Sequence, residues 1–510
     1  IWNLSSTNFT GTTNQIIKQT AGKPFEGTIN TTDANGDIIM ASDILIQNNT
    51  WNLNDATIKT NGHNLLSKSS TFNGGKIVSN DTLKLDNSTI NNMSFFGKYA
   101  LGGNIYSQGG IVFNDNATVV DTLFNLYGWT NTISVKGNIV NKGTIKNNPS
   151  GYSLSMDIDG NIRNEGIWNL SSTNFTGTTD QFIEQAAGTA FEGAINTTDS
   201  VGEIKLTSDI LIQNNTWKLN TSILKTNGHN LFSKNSTFNG GYITSNDTLV
   251  LDNSTINNMG FYGNYTLGGN IYSQGGIVFN DNCTVVDTLF NLYGWTNTIS
   301  VKGNIVNKGT IKNNPSGYSL SMDVDGNIRN EGIWNLAQTA FTGAANQTIE
   351  QTTGKRFEGA FNTTDAKGDV VLASDIMLES NTWKLNTSTI KTNGFKLNSN
   401  NYTLTNGIIQ SNDTVTLNNS VIESMQFFGN YKLNGNVVSQ GNNVFNDTLT
   451  VLDTLMNRYG WTNTALVNGD LINKGTITNN PSGYSFNLDV KGNISNFHLF
   501  SIANLYLSGT

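Results

Sequence analysis

Gly137-Asn138-Ile139-Val140-Asn141-Lys142-Gly143 returns, 23 residues on, as Gly160-Asn161-Ile162-Arg163-Asn164-Glu165-Gly166. Apolar and polar residues alternate over a few positions between Gly and Asn, the pattern of a short β-strand bounded by turns. Thr57-Ile58-Lys59, Leu83-Lys84-Leu85 and Ile133-Ser134-Val135 read the same way, and Asp55-Ala56-Thr57-Ile58 and Asp86-Asn87-Ser88-Thr89-Ile90 look like further rungs. A recurrence of about 18–25 residues suits one coil of a parallel β-helix, in which each coil bonds only to its neighbours. Asn serves the corners because it tolerates the left-handed conformation, and stacked Asn side chains bond amide to amide along the axis. Residues 160–166 run straight into Ile167-Trp168-Asn169-Leu170 without a linker. The nearest thing to a helix, residues 13–19, is long enough for one turn or a strand. The expected class is therefore all-β, a continuous parallel β-solenoid, with three β-sandwich domains as the alternative.

A longer period overlies the short one. Ile-Trp-Asn-Leu begins at Ile1, Ile167 and Ile333, and Trp51, Trp217 and Trp383 keep the same 166-residue step without insertion or deletion. Of the 86 positions in 81–166, 79 match their partners in 247–332, and the third copy has drifted further. The expected units are residues 1–166, 167–332 and 333–498. Residues 499–510 start a fourth unit or a C-terminal module, because Phe497-His498 replaces the Glu165-Gly166 of the pattern. Pro149, Pro315 and Pro481 are in-register copies of one Asn-Asn-Pro-Ser-Gly turn and mark no boundary. Each period should hold about seven or eight coils.

Composition narrows the function classes. Charged residues are 13%, about half the ~25% usual in soluble domains, and Asn makes up about one residue in six. Aromatics at 10% and apolar residues throughout argue for a folded chain. A net charge of −8 with no basic cluster argues against nucleic-acid binding. No apolar run approaches a membrane span. Ile1 follows no initiator Met and no signal-like segment, so a mature or truncated piece is expected. The single cysteine, Cys283, matches Ala117 and Leu449 in the other copies, which makes it an apolar filler without an intramolecular disulfide.

The rungs Gly137-Asn138-Ile139-Val140-Asn141-Lys142-Gly143-Thr144-Ile145 and Thr57-Ile58-Lys59-Thr60-Asn61-Gly62-His63-Asn64-Leu65 resemble those of bacterial secreted and cell-surface β-helix repeat proteins. These include large adhesins and filament-forming proteins, among them the long repeat proteins exported by type IX secretion. The resemblance covers essentially the whole chain. It implies a right-handed parallel β-helix, an extracellular or cell-surface location and a structural or adhesive role, and it carries over no catalytic residue.

Candidate sites are few. Asp157 and Asp159, repeated as Asp323 and Asp325 and replaced by Asp489 and Lys491, are the closest approach to a carboxylate pair for glycoside chemistry. They lack a supporting Arg or His and read as solvated strand residues. Asp33-Ala34-Asn35-Gly36-Asp37 places oxygen ligands at alternate positions around a Gly turn, so Asp33, Asn35 and Asp37 are a weak calcium candidate without the distal Glu of an EF-hand. His63 and His229 give way to Phe395, and His498 stands alone. Asp121, Asp287 and Asp453 read as corner residues that bond backbone amides. Phe95, Phe261 and Phe427, with Tyr99, Tyr265 and Tyr431, read as core. The Tyr-Gly-Trp turns put Tyr127, Trp129, Tyr293, Trp295, Tyr459 and Trp461 forward as a binding surface, because adjacent large side chains in a turn cannot all point inward. Asn-x-Ser/Thr tripeptides, Asn87 and Asn253 among them, are acceptor sites only where a glycosylation system exists.

The expected function is an extracellular structural or adhesive repeat protein, not an enzyme, forming part of a surface filament or fibre. Its partners would be further copies, end to end or side by side, with glycans or cell-surface molecules as targets. A carbohydrate-active β-helix enzyme is the alternative, and ice binding is disfavoured because the Thr positions are irregular. No cofactor is expected beyond the calcium candidate.

Overall fold

The computed structural model describes the chain apart from residues 1, 32, 80–81, 127–129, 246–247, 293–295, 412–413, 459, 461 and 510. Among the described residues the regular elements are strands, with no helix, and residues 13–19 contribute the strand Gln15–Ile17. The chain forms two compact units, Ile1–Ser254 and Thr255–Thr510. Each is a parallel β-solenoid.

In the first unit Asn131–Val135 pairs with Leu154–Ile158, Ile139–Asn141 with Ile162–Asn164, and Thr144–Lys146 with the start of Ile167–Phe175. These strands form the first, second and third faces of successive coils. Ile139 stands opposite Ile162, so the 23-residue recurrence is one coil. Other coils are shorter, and Leu101 faces Val119 only 18 residues on. Parallel pairing between successive coils excludes the β-sandwich alternative, whose strands pair antiparallel.

Alternation decides which way each side chain points. Leu154, Met156 and Ile158 are fully buried, while Ser155 and Asp157 look outward. Trp168 is buried, and its indole N–H donates to Thr173 Oγ1 at 2.8 Å. Phe95 stacks on Phe113 at 5.0 Å. Several corners fall where Asn or Gly supplies a positive φ. Asn48 and Asn54 (φ 48° and 52°) turn the 16-residue strand Ile44–Lys59 from face to face.

Side-chain ladders tie coil to coil. Asn30 Nδ2 donates to Asn8 Oδ1 (2.8 Å), Asn52 to Asn30 (2.7 Å) and Asn73 to Asn52 (2.8 Å). A second ladder joins side chain to backbone at a corner. The N–H of Asn138 donates to Asn116 Oδ1, that of Asn161 to Asn138 Oδ1, and that of Phe182 to Asn161 Oδ1, at 2.7–2.9 Å. In the second unit Asn304, Asn327 and Thr348 repeat this with Asn282, Asn304 and Asn327 as acceptors. Asn52→Ala removes two ladder bonds and should lower the local opening free energy of Ile44–Lys59 by about 1–2 kcal/mol. Hydrogen exchange of that strand measures it; unchanged protection would show the amides add nothing beyond what water supplies.

Equivalent residues of successive copies do not share a face. Eight pairings lead from Trp2 along the second face to Ile162–Asn164. Trp168, the sequence match of Trp2, already lies on the third face, paired with Ile145. In the second unit eight pairings likewise lead from Tyr265–Gly268 to Gln426–Phe428. Tyr431, the match of Tyr265, begins the next face. One sequence period thus carries the chain past eight coils and one corner further.

Candidate functional site

The six turn aromatics Tyr127, Trp129, Tyr293, Trp295, Tyr459 and Trp461 lie outside the described residues. The other aromatic repeat divides by side of the strand. Phe95, Phe261 and Phe427 are buried with Tyr99, Tyr265 and Tyr431, whereas Phe96, Tyr262 and Phe428 are partly exposed. The Tyr99 hydroxyl has the carbonyls of Ile77 and Phe96 as acceptors for its one proton, at 2.8 and 2.9 Å, and burial holds its pKa far above the ordinary phenol range. These rings are core.

The calcium candidate is a turn whose carboxylate faces a lysine. Asp37 meets Lys59 on the next coil at 2.6 Å, and its N–H is held by Asn14 Oδ1. The matching acids do the same, Glu203 with Lys225 (2.7 Å) and Asp369 with Lys391 (2.6 Å). An inter-coil ion pair accounts for the acidic fifth position in every copy. Asp33 stands exposed, and Asn35 donates its backbone N–H to Gly11 O at 3.0 Å. Among the described residues no three His, Cys, Asp or Glu side chains gather as a metal site.

The carboxylate pairs are built into the wall in the same manner. Asp157 accepts from Asn174 Nδ2 at 2.6 Å, and Asp159 accepts from Thr176 Oγ1 and meets Lys136 at 3.1 Å. In the second unit Asp325 keeps both partners, Thr342 and Lys302. Asp323 stands opposite Ala340, where Asp157 had Asn174. Burial, aided by Asp365 and Asp325 and opposed by Lys302, raises the Asp323 pKa above the usual carboxylate value.

A raised folded-state pKa means that the folded chain holds the proton more tightly. Its penalty on stability is therefore fully present above the carboxylate range and disappears as pH falls through it. Ala340→Asn restores an amide donor and should lower the Asp323 pKa, raising stability at neutral pH but not in acid. Carboxyl NMR titration checks this; an unmoved Asp323 midpoint would refute the assignment.

Asp121 and Asp287 are the corner acceptors expected, taking the N–H groups of Gly103 and Gly269 at 2.7 and 2.8 Å. Asp453 accepts from Thr454 Oγ1 at 3.3 Å. His63 lies 3.8 Å from Asp43 and His229 lies 3.9 Å from Asp209. Each aspartate is held below its usual pKa, chiefly by a backbone N–H, from Asn64 or Asn230. Cys283 is buried and burial pushes its thiol up, which removes the thiolate a reactive cysteine needs.

The structure adds a concavity that sequence reasoning missed. A groove of about 660 Å³ in the second unit lies between residues 351–356 and the strand Ile376–Glu379, with Phe395 in its wall. Its sequence signal is departure from the repeat: Arg356 stands where the earlier copies have Pro24 and Ala190, and Phe395 where they have His63 and His229. No helix of the described residues is long and apolar enough to cross a membrane. Compared with protein-family models, curated proteins and solved structures, the chain finds no match.

Proposed function

We propose that the chain is an extracellular structural or adhesive repeat protein, a component of a surface filament or fibre. One observation carries this reading: polar side chains with a legible role link one coil to the next. The Asn30–Asn52–Asn73 ladder, the Asn116–Asn138–Asn161 corner and the Asp37–Lys59 pair all serve the stack. The carboxylates that a carbohydrate-active enzyme would use, Asp157 and Asp159, are held by Asn174, Thr176 and Lys136. Bonding spread evenly along a stack suits a load-bearing element. Hydrogen bonds within the fold also give it cohesion without disulfides.

Self-association end to end or side by side belongs to the same reading. Electron microscopy of the purified chain over a wide concentration range tests it, with antibody labelling of intact source cells for location. Elongated assemblies and surface label are expected. Monodisperse single chains at every concentration, or label confined to the cell interior, would overturn the respective half of the proposal.

A further inference from the structure

The groove in the third copy is where groups tied down elsewhere have been released. Gln351 is 6% exposed, and its Oε1 accepts the Met377 N–H at 2.9 Å. In the earlier copies the matching amide also donates across the coil, Gln19 Nε2 to Leu45 O at 2.9 Å and Gln185 Nε2 to Leu211 O at 3.3 Å. Gln351 Nε2 has no such bond. Asp43 accepts the N–H of Asn64 on one oxygen and its Nδ2 on the other. Lys396 replaces that Asn, so Asp375 accepts only the Lys396 N–H, at 2.9 Å on Oδ1. Phe395 replaces the His that flanked the aspartate in both earlier copies. Two substitutions and one missing bond thus leave one donor and one acceptor free and place an aromatic ring in one groove.

Charge points to the kind of ligand. Arg356 is spanned by Glu358 at 2.7 Å and Glu379 at 2.9 Å, and Lys355 and Asp375 add one charge of each sign to the lining. A lining of balanced charge draws neither anions nor cations strongly. A free amide donor, a free carboxylate oxygen and an apolar ring together match a molecule with alternating hydroxyls and an apolar face. The Gln351 amide, on a side chain only 6% exposed, favours a partner that satisfies it over one that cannot.

We propose that this groove binds a neutral glycan, with a pyranose face on Phe395 and ring hydroxyls shared between Gln351 Nε2 and the Asp375 carboxylate. The inference does not depend on fibre formation, so imaging of assemblies and measurement of binding can fail separately.

The test titrates the full chain with cello-, malto-, laminari- and manno-oligosaccharides by calorimetry, with oligogalacturonate and a neutral peptide as comparison arms. Saturable binding of at least one neutral series is expected. It should weaken roughly tenfold or more when Lys355→Thr, Arg356→Ala and Phe395→His restore the second copy's residues. Phe395→His alone, tolerated at His229, keeps the comparison decisive if the triple variant folds poorly. Binding of oligogalacturonate or peptide alone, no binding by any neutral series, or binding indifferent to these substitutions would each overturn the proposal.

Discussion

Replacing Gly193 by Ala is expected to open the coils on both sides of it, at a cost above about 4 kcal/mol. Gly193 has φ +90°, and a Cβ built there lies 1.6 Å from the carbonyl oxygen of Leu170 on the preceding coil. That oxygen is backbone, so relief requires moving a whole rung. The pairing register also shifts here, between Leu170 and Ser172, as the chain passes from one face to the next. Gly27 and Gly359 make the same approach to Leu4 and Leu336, both at 1.7 Å. Gly188 is the control: it too has positive φ (+83°), but its Cβ would meet nothing. Gly188→Ala should cost only about 1–2 kcal/mol of backbone strain. Amide protection across Ile167–Phe175 and Phe191–Asn196 reads both, and equal losses would show that φ, not contact, sets the requirement.

The second large effect is expected at Trp217. Its side chain is fully buried and stacks on Phe238 of the next coil at 6.4 Å. Trp217→Ala should cost about 3–5 kcal/mol, the range for deleting a large aromatic from a packed core. Trp217 and Trp168 nevertheless differ. The Trp217 indole N–H is buried without a hydrogen-bond partner, whereas that of Trp168 is held by Thr173. Trp217→Phe removes an unsatisfied donor along with some ring, while Trp168→Phe strands the Thr173 hydroxyl and should be worse by about 1 kcal/mol. Paired exchange measurements settle the order; a Trp217→Phe loss equal to that of Trp168→Phe would mean that volume alone matters.

Much of this architecture was legible in residues 137–166, because alternation and the 23-residue return are both local signals. Asn138 and Asn161 could be read as corner residues, and the structure supplies the bond each makes. Coil length was harder to read, since it is set by how far a corner bulges. Leu101 and Val119 need 18 residues where Ile139 and Ile162 need 23. The one-corner advance per period was invisible for the same reason: it is the sum of many such differences. The ion pair of Asp37 was not legible, because its partner, Lys59, is distant in sequence and adjacent only once the coils stack. The groove was illegible in the sequence because a repeat shows itself through what its copies share. Arg356, Phe395 and Lys396 matter for being what they do not share.

The extra corner in each period has a consequence for recognition. Within residues 1–254, a partner that engages the neighbourhood of Trp2 and one that engages the neighbourhood of Trp168 meet the same sequence from different compass bearings. A rigid two-armed ligand with parallel arms cannot grip both, whereas a flexible one, or two independent ones, can. Duplication has therefore multiplied directions as well as copies, as steps do around the newel of a spiral stair.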